Sequence, residues 1–125
     1  MIFDPNDSAG AHALERLAND RIGWLTTVSP AGQPMSMPIW YHWQDGELVI
    51  YSDGAAGRNV NVAAHPKVAS HLGSKAGGGD IVIVHSGARI DLGYTQVPDN
   101  AEYLAKYGDW IDAHLGGPTR MAAIF

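Results

Sequence analysis

Cysteine is absent from the chain, which removes disulfide frameworks, thiolate zinc sites and thiol nucleophiles, and fits a reducing, cytoplasmic setting. Charge is sparse and leans negative: 17% of residues are charged and the formal net charge is -5. A nucleic-acid backbone would be repelled rather than neutralised, so a sequence-independent nucleic-acid binder is excluded. No apolar run reaches the roughly 18 residues that a membrane span requires. The opening stretch MIFDPNDSAGAHALERL has neither the basic leader nor the apolar segment of a secretory signal. Signature motifs are missing too: there is no G-x-G-x-x-G between strand and helix, no G-x-x-x-x-G-K-[ST], no H-E-x-x-H and no G-x-S-x-G.

What is present suits one domain. The 125 residues, 46% of them apolar, are enough for one core and too few for two. Ser8 is placed to cap a helix over residues 9–20, with Leu14, Leu17 and Ala18 on one face. Residues 22–28 alternate in a way that suits a strand covered on both sides. Residues 33–43 read as its partner, with Met35, Met37, Ile39, Tyr41 and Trp43 on one side and Ser36, Pro38, Trp40 and His42 on the other. Pro38 cannot donate to a ladder, so this strand belongs at an edge or carries a bulge. Pro30-Ala31-Gly32 and Asp45-Gly46 are turn signals that make these runs an antiparallel meander.

Strands follow over residues 47–52 and 67–72, and a long bent one over 80–92 with a bulge at Gly87. Between them lie a helix over 55–64, stopped by Pro66, and a glycine-rich loop over 73–79. Leu104, Tyr107, Ile111 and Leu115 define an amphipathic helix over 99–115. The sum is an α+β, mainly β, barrel or half-barrel of antiparallel strands with inserted and appended helices.

The most informative stretch runs from residue 22 to 66, and its third strand exits through Ser52-Asp53-Gly54-Ala55-Ala56-Gly57-Arg58. Consecutive N–H groups, a fixed cation and a helix start there favour an anion such as phosphate. Other chemistry-bearing residues take plainer readings. The six histidines are scattered through different elements, and although His71 and His85 would face each other on neighbouring strands, they are read as hydrogen-bonded or surface residues rather than metal ligands. The four tryptophans are read as core or interface residues, with ring stacking on a cofactor as the alternative for Trp40.

The succession Trp24-Leu25-Thr26-Thr27-Val28, Gly32-Gln33-Pro34, Pro38-Ile39-Trp40-Tyr41, Tyr51-Ser52 with Arg58 and Asn61, and His65-Pro66-Lys67-Val68 resembles the pyridoxamine-phosphate-oxidase-like split-barrel superfamily. More narrowly, it resembles the branch of coenzyme F-420 (deazaflavin)-dependent reductases from actinobacteria. The resemblance runs from about residue 21 to 115 and includes Lys106-Tyr107-Gly108-Asp109. It implies a homodimer with the cofactor in a groove at the subunit interface. The phosphate-bearing tail would lie on the segment containing Ser52, Gly57, Arg58 and Asn61, the ring would face Met37, Pro38, Ile39 and Trp40, and Tyr51 would border the groove. Arg58 stands where many members have lysine, and His65 where they have asparagine.

The resemblance also implies a redox function without a side-chain nucleophile: hydride transfer from reduced deazaflavin to a conjugated small-molecule substrate. An FMN-dependent oxidase or reductase is the first alternative, and a non-catalytic flavin, deazaflavin or haem-like ligand carrier the second. Related chains continue into a further barrel strand, whereas this sequence stops at Phe125. The domain is therefore expected to comprise an N-terminal helix (1–20), barrel strands (21–92) and a helical carboxyl region (99–125) from which the final strand is absent.

Overall fold

A computed structural model describes residues 3–52, 57–91, 101–114 and 122–124. In chain order they form α1 (Ser8–Asn19), β1 (Gly23–Val28), β2 (Pro34–Ile39), β3 (His42–Gln44), β4 (Glu47–Ser52), α2 (Gly57–Ala64), β5 (Lys67–Leu72), β6 (Ile83–Gly87), β7 (Ile90–Asp91), α3 (Ala101–His114) and β8 (Ala122–Ile124). The strands make two antiparallel four-stranded sheets, ordered β2-β1-β5-β6 and β3-β4-β8-β7.

Local chemistry explains most boundaries. Asp7, not the expected Ser8, caps α1, its carboxylate accepting from Gly10 N at 3.0 Å; Asp7 is the residue with extended backbone, as a cap requires. Asp45 and Gly46 both have positive φ, 52° and 76°, and make the two-residue turn that matches the twist of the β3–β4 hairpin. Pro38 lies opposite Trp24 in β2, which is indeed an edge strand.

Four expectations are corrected. The run 33–43 is not one strand: β2 ends at Ile39, and after Trp40 and Tyr41 the chain enters β3 in the other sheet. The run 80–92 likewise divides into β6 and β7, one in each sheet, breaking just after Gly87. β1 is covered on one side only, burying Gly23, Leu25 and Thr27 and leaving Trp24 exposed, because no described element packs on the outer face of its sheet. The carboxyl region does supply a last strand: β8 pairs with both β4 and β7 and joins them into one sheet. Residues 99, 100 and 115 of the helix expected over 99–115 lie outside the described residues, as do residues 55 and 56 of the helix expected over 55–64.

The core has two parts. The larger gathers Ala13 and Leu17 of α1, Leu25, Ile39, Ile50, Val62, Val68, Leu72 and Val82 around Tyr41. The smaller holds Val49 and Tyr51 of β4 against Tyr103 and Tyr107 of α3. β4 alternates between them, Ile50 to one and Val49 and Tyr51 to the other, so both its faces are buried. A fully buried Leu or Ile contributes about 1.5–3 kcal/mol, so either cluster is costly to open.

At the handover from one sheet to the other, Tyr107 closes the backbone. Its hydroxyl accepts from Tyr41 N at 3.1 Å and donates to Arg21 O at 2.5 Å, tying α3 to the end of β2 and the start of β1. Tyr107→Phe is expected to cost about 1–3 kcal/mol by leaving a buried N–H unpaired, read as a lower urea midpoint; an unchanged midpoint would show that the handover does not depend on this hydroxyl.

Candidate functional site

A cleft of about 370 Å³ opens between β2 and the start of α2. Its floor is Leu25 and Thr27 of β1, one wall is Met35, Ser36, Met37 and Pro38 of β2, and the other is Gly57, Arg58 and Asn61 of α2. The volume is within the range of small-ligand and cofactor sites. Among the described lining residues Arg58 is the only charged one, so the cleft is apolar along β2 and cationic at the helix start.

The sequence places these groups for physical reasons. Gly57 and Arg58 are the first two residues of α2, where helix N–H groups and the positive end of the dipole add to the guanidinium. Arg58 Nη1 donates to Met37 Sδ at 3.6 Å, reaching across the cleft. Burial lowers its pKa, with Tyr103 acting in the opposite sense. A half-buried guanidinium of this kind is suited to a charge-assisted contact with an anion. Asn61 is buried and fixed on two sides, donating to Thr27 Oγ1 at 2.9 Å and to Met35 Sδ at 3.6 Å.

Behind the cleft lies an aromatic and cationic cluster built on α3. Trp40 stacks on Tyr107 with centroids 5.2 Å apart and planes 1° from parallel. Tyr103 meets Tyr51 edge-on at 4.7 Å and Tyr107 at 4.9 Å. Lys106 Nζ sits 3.9 Å from the Tyr41 ring centroid and donates to Tyr41 O at 3.1 Å. Burial pushes the Tyr107 hydroxyl up to about 12 and raises Tyr41 and Tyr103 further.

Of the residues singled out from sequence, Met37, Pro38, Gly57, Arg58 and Asn61 come together in the cleft. Ile39 turns into the main core, Tyr51 into the smaller one, and Trp40 onto Tyr107. Ser52 ends β4, and the 53–56 part of the expected phosphate loop lies outside the described residues. Sequence reasoning missed Thr27, Tyr103 and Lys106 as individual contributors; the helical stripe through Leu104 and Tyr107 was the available signal for α3. His71 and His85 lie diagonally on one sheet face, His71 Nδ1 donating to Leu72 O at 2.9 Å, and no three metal-ligating side chains converge among the described residues. No described helix is long and apolar enough to cross a membrane.

The sequence matches the family described as Pyridoxamine 5'-phosphate oxidase over residues 10–123. A comparison with curated proteins returns no match. Solved structures share the fold. A FAD-binding protein from Mesorhizobium loti superposes with TM-score 0.66 at 21% identity, covering 91% of this chain and 86% of its own. The heme storage protein HutZ from Vibrio cholerae does so with TM-score 0.68 at 13% identity, covering 91% and 85%. A conserved hypothetical protein from Mycobacterium tuberculosis gives TM-score 0.66 at 19% identity, covering 92% and 78%. At these identities the likeness is one of fold, the split barrel of antiparallel strands with added helices.

Lys106 generates a pH prediction. Burial lowers its pKa to about 8 from an ordinary 10.5, so the folded state binds fewer protons there than the unfolded chain. The resulting penalty is complete below pH 8 and fades as pH rises toward 10. The three raised tyrosines act only above about pH 10, where unfolded tyrosines ionise. Unfolding midpoints in urea are therefore expected to rise between pH 8 and 10 and to lose that rise in Lys106→Met; a wild-type profile that is flat or falling in this window would contradict the assignment.

Proposed function

Since this chain belongs to the pyridoxamine 5'-phosphate oxidase family, we propose that it is an oxidoreductase that holds a flavin-type cofactor in the β2–α2 cleft and acts on a conjugated small molecule. The observation that carries this reading is the cleft itself: an apolar wall along Met35, Met37 and Pro38, ending at the half-buried guanidinium of Arg58 on a helix start. An apolar ring with an anionic tail has the same division.

The finer assignment is coenzyme F-420. When bound, a reduced deazaflavin supplies a hydride to an electron-poor double bond. The chain's own residues bind, orient and exclude water. Arg58 and the first turn of α2 hold the phosphate-bearing tail. Asn61, locked by Thr27, offers a polar contact whose direction is fixed before a ligand arrives. Leu25, Met35, Met37 and Pro38 flank the ring and keep water from it. Trp40 and Tyr51 support this wall from behind through Tyr107 and Tyr103. A proton for the reduced product comes from solvent in this reading, because the tyrosines near the site are held protonated by burial.

FMN is the second reading, supported by the likeness to a FAD-binding protein. The likeness to a haem storage protein favours a third, ligand carriage without turnover. Titration with coenzyme F-420 and, separately, FMN while following tryptophan fluorescence separates them: micromolar quenching by the deazaflavin alone supports the reductase, a preference for FMN moves the protein to the oxidase branch, and binding of either with no turnover favours carriage. Arg58→Ala is expected to weaken binding of the preferred cofactor tenfold or more, since a charge-assisted contact is worth about 1.5–3 kcal/mol; unchanged affinity would sink the tail assignment.

The proposal includes a homodimer. β2 is an edge strand of its sheet, so among the described residues its outer side is open to a second copy that borders the groove and leaves it accessible to small solutes. Elution at twice the monomer mass is the expected result. A stable monomer that still binds cofactor tightly would contradict it.

A further inference from the structure

Met35 and Met37 are unusual companions for the two polar residues of the cleft. Each residue is about half exposed, and each sulfur accepts a hydrogen bond from a cleft side chain, Met35 from Asn61 and Met37 from Arg58, both at 3.6 Å. A thioether is a weak acceptor, so neither bond alone explains the arrangement. A sulfoxide oxygen is a strong one, and it would project from the same sulfur toward the same donors.

We propose that Met35 and Met37 form an oxidation-sensitive site, modified by hydroperoxides, that disables the cleft by capturing Arg58 and Asn61. The second half of this inference rests on the cofactor reading above; the first does not. In the reaction the sulfur lone pair attacks the distal oxygen of the hydroperoxide. The S–O bond forms as the O–O bond breaks, the sulfur loses two electrons, and water or an alcohol leaves carrying the remaining proton. The product is polar and chiral where the thioether was apolar and flexible. It acts on the cleft in two ways. The wall that would face an apolar ring becomes polar, and the guanidinium and amide that would meet a ligand are engaged by S=O instead. Asn61 is anchored through Thr27 and Arg58 by its place on the first turn of α2, so both donors stay within reach of the sulfurs. The modification is reversible by methionine sulfoxide reductases.

The test begins with the whole protein exposed to hydrogen peroxide and digested for mass spectrometry. Met35 and Met37 are expected to gain one oxygen each at rates within about threefold of those in the urea-unfolded chain. Protection of either by more than tenfold would overturn the proposal whatever the cleft binds. Cofactor titration of the oxidised protein is expected to show at least a tenfold loss of affinity, restored by methionine sulfoxide reductases. The double variant Met35→Leu, Met37→Leu, whatever its own starting affinity, is expected to show no change on peroxide treatment. Oxidation at both sites with affinity unchanged, in a protein whose binding falls in Arg58→Ala, would overturn the capture mechanism. Binding that is indifferent to Arg58→Ala would instead overturn the cofactor reading, and the peptide oxidation rates would still decide whether the site is oxidation-sensitive.

Discussion

Everything in this molecule hangs on the crossing at Trp40 and Tyr41, where the chain leaves one sheet and enters the other. A backbone changing sheets must give up its ladder for two residues, and buried N–H and C=O groups there have to find other partners. α3 supplies them: the Tyr107 hydroxyl takes the Tyr41 N–H, the Lys106 ammonium takes the Tyr41 carbonyl, and the Tyr107 ring receives the Trp40 indole. A single turn of helix thereby fixes where β2 stops. Since β2 forms one wall of the cleft, α3 bears on the cleft's shape by fixing the end of that strand.

The cleft is in turn a product of contrast between neighbours. β2 contributes apolar side chains that the edge of a sheet leaves in the open, and α2 contributes a helix start and a guanidinium beside them. Thr27 connects the two, a buried hydroxyl on β1 that fixes Asn61 of α2 against the strand pair. The electrostatic gradient along the cleft needs no cluster of charges. One cation, half-buried at the helix start, sets its direction.

How far the sequence revealed this architecture depended on the range of the interactions involved. β4 and β5 have the bounds read from sequence, because Asp45-Gly46 starts one and Pro66 precedes the other, and both signals act over a few residues. The division of 33–43 into β2 and β3 was hidden, because the alternation of side chains runs unbroken through Trp40 and the partner that breaks it, Tyr107, is 66 residues away from Tyr41. β8 was hidden for a similar reason: three small or aliphatic residues carry little strand signal until β4 and β7 lie on either side. In the cleft, Arg58 was legible from its place after glycine at a helix start, whereas Asn61 came only through the family resemblance. Ile39 and Tyr51 were not separable from core residues, since an apolar side chain on a strand looks the same whichever face it takes. The oxidation-sensitive pair lay in plain view as two methionines on one side of a strand, but the donors that give them meaning come from α2, more than twenty residues along.

The prolines of β2 have a bearing on how the protein behaves in a crowded solution. Ser29 N bonds Gln33 O across the β1–β2 turn, and in an antiparallel pair hydrogen-bonded and non-bonded positions alternate from there. Pro34, Ser36 and Pro38 therefore occupy the positions whose nitrogens point away from β1, and two of those three have no hydrogen to offer. A foreign strand approaching this open edge would find a ladder with most of its donors removed. The edge beside the exposed methionines is thus poorly suited to the addition of a foreign strand.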